Sequence, residues 1–121
     1  MHEGPVLVVD DDIDIREAIR DALEQEGHSV ALAADGQEAL DYLGRGSIPS
    51  LILLDWNMAP MNAEEFMEAF SKHALSGQVP VVLVTADARA NEKMSHGFAG
   101  ILRKPMKLEA LYDVVRRYRR K

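Results

Sequence analysis

The chain has 121 residues with 14 basic against 20 acidic, a net charge of −6 and a hydrophobic share of 47%, which fits a single domain with a real core. It has no cysteine, which excludes disulfides and thiolate metal sites; no apolar run approaches the roughly 20 residues of a membrane span, and Met1-His2-Glu3-Gly4-Pro5 has no export-signal character, so a cytoplasmic location is expected. Five of the basic residues, Arg116, Arg117, Arg119, Arg120 and Lys121, close the chain, so the rest is more acidic than the sum and argues against general nucleic-acid binding.

The first apolar run predicts a strand over Pro5–Val9. A helix follows over Ile13–Glu26, with Ile15, Ile19, Ala22 and Leu23 on one face, Asp12 as N-cap and Gly27 as stop. A second strand is expected over Ser29–Ala33, and Ala34-Asp35-Gly36 reads as an ordinary turn. The second helix spans Gly36–Leu43 and is broken by Gly44, Gly46 and Pro49. Leu51–Leu54 is the third strand, and a helix with Phe66 and Phe70 at i,i+4 begins near Asn62 or Ala63. Val79–Val84 is the fourth strand, followed by a short, weakly amphipathic helix over Ala88–Ser95. A fifth strand covers Gly100–Leu102, and a last helix from about Lys107 places Leu108, Leu111, Val115 and Tyr118 on one face. Five strands alternating with five helices predict an α/β fold with a parallel sheet and right-handed crossovers. Residues 1–121 read as one domain, and a last helix ending near Tyr118 leads us to expect output by protein contact.

The chemistry gathers at the strand ends. Val6-Leu7-Val8-Val9 stops at Asp10-Asp11-Asp12, Leu51-Ile52-Leu53-Leu54 at Asp55, and Val81-Val82-Leu83-Val84 at Thr85, while Ile101-Leu102 leads to Arg103-Lys104-Pro105. In parallel sheets, ligands bind beyond the carboxyl ends of the strands. Crowded carboxylates raise one another's pKa, and a divalent cation relieves that cost. Oxygen donors without His or Cys favour magnesium or calcium. A carboxylate can also accept a phosphoryl group, with Lys104 neutralising one of its oxygens and Thr85 bonding another. The four histidines, His2, His28, His73 and His96, show no metal-ligand spacing.

Val8-Val9-Asp10-Asp11, Asp55-Trp56-Asn57-Met58, Val84-Thr85-Ala86 and Lys104-Pro105, in this order and spacing, resemble the motifs of the response regulator receiver domain, the phospho-acceptor module of two-component signalling. The resemblance covers essentially the whole chain and is nearest to single-domain chemotaxis-type regulators. It implies a doubly wound, flavodoxin-like (βα)5 fold with strand order 2-1-3-4-5. It also implies Asp55 as the phospho-acceptor, Asp11 as a direct Mg2+ ligand, Asp10 holding the ion through water, and Asn57 offering its backbone carbonyl. Thr85 matches the switch hydroxyl and Lys104 the family's lysine, with a cis bond to Pro105. Asn57 and Asp87 fall at positions that tune phosphoryl lifetime. The implied partners are a histidine kinase or histidine phosphotransfer protein and a downstream protein. Signal output is implied at the face of the fourth helical segment, strand five and the last helix.

Three features depart from the family pattern. Met58-Ala59-Pro60-Met61-Asn62-Ala63 replaces Met-Pro-x-Met-Asp-Gly, the aromatic switch position is Ile101, and Phe98 stands where alanine is frequent. They motivate an alternative: a degenerate receiver acting through constitutive protein contact. A second alternative is a Mg-dependent aspartyl phosphatase of haloacid dehalogenase type, for which Asp10-Asp11-Asp12 supplies the required Asp-x-Asp. The lone tryptophan, Trp56, reads as a partly buried packing residue beside Asp55.

Overall fold

Each apolar run becomes a strand in the computed structural model, which describes residues 4–46, 48–56, 61–73, 77–86, 97–105 and 107–119. The strands are β1 (Val6–Val9), β2 (Val30–Ala33), β3 (Leu51–Asp55), β4 (Val81–Thr85) and β5 (Gly100–Arg103). The helices are α1 (Ile13–Gln25), α2 (Gly36–Gly44), α3 (Ala63–Phe70) and α4 (Leu108–Arg119). All strand pairs are parallel, in the order β2-β1-β3-β4-β5. The helix expected over Ala88–Ser95 lies outside the described residues, as do Asn57, Asp87 and the Met58-Ala59-Pro60 part of the altered loop.

Strands β1, β3 and β4 are buried along their full length because helices cover both faces. Side chains alternate between two cores. Leu7, Val9, Ile52, Leu54 and Leu83 meet Leu43, Phe66 and Phe70 on one face. Val6, Val8, Leu53, Val82 and Val84 meet Ile19, Leu23, Leu111 and Val115 on the other. The register aligns Val9 with Leu54 and Asp55 with Val84, so the polar residues that follow emerge at one edge. β4 starts two residues later than the sequence suggests. Pro80 has no N–H to donate, and its carbonyl instead accepts from the Ile52 amide at 3.0 Å.

The helix ends follow local chemistry. Asp12 caps α1 by accepting from the amides of Asp14 and Ile15, and Gly27 after its end adopts φ +88°. Asn62 and Glu65 form a reciprocal capping box on α3. The segment Ala34-Asp35-Gly36 is more than the turn expected of it. Asp35 caps α2 by accepting from the Glu38 amide, while the Glu38 carboxylate accepts from the Ala34 amide at 2.8 Å. Met61 packs over the start of α2, where a Cβ on Gly36 would approach its sulfur to 2.9 Å.

Candidate functional site

Two strand ends and the segment after each build the site. Asp55 is the last residue of β3, and Asp10 and Asp11 directly follow β1 in the neighbouring position. One carboxylate oxygen from each of Asp10, Asp11 and Asp55 lies within 4.8 Å of the other two. Asp10 and Asp55 are buried, at 2% and 4% exposure, whereas Asp11 faces solvent. The cluster is open on one side and closed beneath.

Lys104 enters from the residue after β5. Its ammonium lies 3.1 Å from Asp55 Oδ1 and 3.7 Å from Asp10 Oδ2. Its amide donates to the Thr85 carbonyl at 2.9 Å, and the Lys104–Pro105 peptide is cis. Thr85, 1% exposed, ends β4 in register with Arg103. The structure thus brings Asp10, Asp11, Asp55 and Lys104 into one cluster and ties Thr85 to it through the backbone. Ile101 is half-buried and pairs with Leu83, away from the cluster, in the core shared with α2 and α3.

Burial pushes the Asp55 carboxyl above the ordinary carboxylate range, and repulsion from Asp10 adds to it; the bond from Lys104 opposes both without cancelling them. Burial likewise raises Asp10, against the pull of the Asp12 amide and of Lys104. Burial alone would lower Lys104, but its bond to Asp55 and the charges of Asp55 and Asp10 outweigh that and hold it up. One ammonium cannot satisfy two buried carboxylates and an exposed third. The oxygen-only donor set therefore fits a hard divalent cation such as Mg2+.

The remaining polar atoms around Asp10 are taken. Oδ1 accepts from the Asp12 amide at 2.9 Å, and the main-chain carbonyl accepts from Arg16 Nη1 at 2.8 Å. Asp12 itself is spent on capping α1. The sequence pattern does not single out Arg16, because a bond to a carbonyl six residues earlier leaves no periodic trace. Trp56 is half-buried and meets the buried ring of Phe98 edge-on, with centroids 6.3 Å apart.

The model of the family described as response regulator receiver domain matches residues 6–116. The chain belongs to this family. The receiver is 34% identical to an uncharacterized 14.6 kDa protein in the sodA1 3′ region of Leptolyngbya boryana, over 93% of this chain and 88% of that one. It is 35% identical to response regulator MprA of Mycolicibacterium vanbaalenii over 88% of this chain, but spans only 46% of that relative's length. Among solved structures, the chemotaxis protein CheY4 of Vibrio cholerae superposes with a TM-score of 0.86 at 31% identity, covering 97% of this receiver and 99% of that chain. No helix among the described residues of the receiver is long and apolar enough to cross a membrane.

Proposed function

We propose that this receiver accepts a phosphoryl group on Asp55 and uses it to switch a protein-interaction surface. The observation that carries the reading is the buried Asp55–Lys104 pair at 3.1 Å, set within the cluster of Asp10, Asp11 and Asp55. An Asp55 carboxylate oxygen attacks the phosphorus of a phosphohistidine. The P–N bond breaks, the imidazole nitrogen keeps the electron pair, and the imidazole takes its proton from solvent. Asp10, Asp11, Asp55 and the backbone carbonyl of Asn57 would hold Mg2+, which supplies charge neutralisation to the transferring group. In the proposal Lys104 follows the phosphoryl oxygens, and the Thr85 hydroxyl bonds one of them in the switched state. Asn57 and Asp87 tune the lifetime of the phosphoryl group, and Ile101 replaces the aromatic at the switch position.

In this reading residues 1–121 act as one cytoplasmic signalling domain. It promotes its own phosphorylation and slow dephosphorylation and turns over no metabolite. Its donor is a histidine kinase or a histidine phosphotransfer protein, and its target is a further protein. The printed names of the relatives, response regulators and a chemotaxis protein, agree with a signalling role. The phosphatase alternative needs the third aspartate of Asp10-Asp11-Asp12 for chemistry, and Asp12 is engaged as a helix cap. The degenerate alternative is disfavoured by the complete set of three carboxylates and a lysine.

Intact-mass measurement after incubation with Mg2+ and a small phosphodonor tests the proposal. Wild type gains the mass of one phosphoryl group and Asp55→Asn gains none. A wild type that gains nothing, or a gain that survives in the variant, rejects it.

A further inference from the structure

Arg16 sits on the second turn of an acidic helix, near Asp12, Asp14 and Glu17. Among the described residues its guanidinium makes no ion pair with any carboxylate. It reaches back instead to the main-chain carbonyl of Asp10, at 2.8 Å, and is half-buried in doing so. A cation donating to a neutral carbonyl makes one of the stronger hydrogen bonds available to a main chain. That carbonyl belongs to the peptide joining Asp10 to Asp11, so fixing it fixes the direction in which Asp11 leaves the backbone. Asp10 needs little help, since its amide donates to the Ala33 carbonyl at 3.2 Å and its Oδ1 is bound by the Asp12 amide. The Asp11 carboxylate has no hydrogen-bond partner among the described residues, yet it lies within reach of the oxygens of Asp10 and Asp55.

We propose that Arg16 is a positioning residue for the cation site, holding the Asp10–Asp11 peptide so that the Asp11 carboxylate faces Asp10 and Asp55. The inference rests on the reading of those three carboxylates as cation ligands. It makes a prediction opposite in sign to simple electrostatics. Removing a positive charge from beside an acidic site should tighten cation binding, whereas removing a positioning bond weakens it.

The test uses Mn2+ as the probe, with free ion followed by electron paramagnetic resonance, on wild type, Arg16→Met, Arg16→Lys and Arg20→Met. Arg20 lies one turn on and pairs with Asp21 at the surface, so its variant controls for net charge. Arg16→Met should bind Mn2+ about tenfold more weakly, the lower end expected for outer-shell partners of a metal ligand. Arg16→Lys, which keeps a charged donor, should recover most of the loss, and Arg20→Met should match wild type. Equal or tighter binding by Arg16→Met overturns the assignment, as does a lower melting temperature with unchanged Mn2+ affinity. Should Arg16→Met not fold, Arg16→Gln, too short to reach the carbonyl, takes its place with the same expected loss. A wild type that binds no Mn2+ rejects the cation site itself, whereas normal wild-type binding with an unaffected Arg16→Met rejects only the role of Arg16.

Discussion

At the amino end of the sheet the buried polar side chain among the described residues is Ser50; at the carboxyl end they are Asp10, Asp55 and Thr85. Ser50 is neutral, and its hydroxyl donates to the Gly4 carbonyl at 2.7 Å and more weakly to the Pro5 carbonyl at 3.4 Å, so its desolvation is offset by main-chain acceptors. Asp10 and Asp55 share one ammonium and repel each other, and burial holds both above the ordinary carboxylate range. The first arrangement is complete within the chain. The second leaves an excess of buried negative charge, the feature on which the proposed cation and phosphoryl site rests.

The largest expected effect that sharpens this contrast is at Lys104. Lys104→Met removes the ammonium that the cluster holds among the described residues and should slow phosphorylation by a small donor about 100-fold, the scale of losing one preorganised donor to a developing anion. A time course by intact mass reads it, and an unchanged rate would make the ammonium a structural counter-ion only. Next is the opposite end. Ser50→Ala should cost about 1 kcal/mol in urea unfolding while leaving phosphorylation intact. A loss of phosphorylation there would break the division between the ends.

The smallest effect is a slope in stability against pH. Asp10 and Asp55 have folded pKa values raised above 3.8, so the folded state binds more protons than the unfolded state in that window. Without a divalent cation, stability should therefore fall as pH rises from the ordinary carboxylate range through the raised values. Lys104, raised above 10.5, contributes stability that is present below its ordinary value and lost as pH rises through its folded value. Asp10→Asn should flatten the acid slope, and Mg2+ should stabilise wild type more at about pH 7 than at about pH 4. Urea titrations across that range, with and without Mg2+, check both signs.

The fold was legible because β1, β3 and β4 are covered on both faces and so are written as unbroken apolar runs. Parallel strands deliver their following residues to one edge, so Asp10, Asp55, Thr85 and Lys104 could be expected at that edge from the sequence, while the strand order that makes β1 and β3 neighbours came from the family resemblance. Contacts that depend on side-chain reach were not. The bond from Arg16 to the Asp10 carbonyl and the edge-on meeting of Trp56 with Phe98 have no periodic signature. The bonds from the Glu38 amide to the Asp35 carboxylate and from the Ala34 amide to the Glu38 carboxylate hide in a segment whose composition resembles any turn. The strand ends moved by a residue or two where Pro80 delays β4 and Asp55 and Thr85 join the ladder.

Lys104 stands 3.1 Å from Asp55 and 3.7 Å from Asp10, one ammonium between two claimants. An anion that drew the ammonium further toward Asp55 would lengthen its contact with Asp10. Under the proposed phosphorylation, a change at β3 would thereby be felt at β1 through one side chain. That side chain belongs to the residue directly after β5, at the carboxyl edge of the sheet.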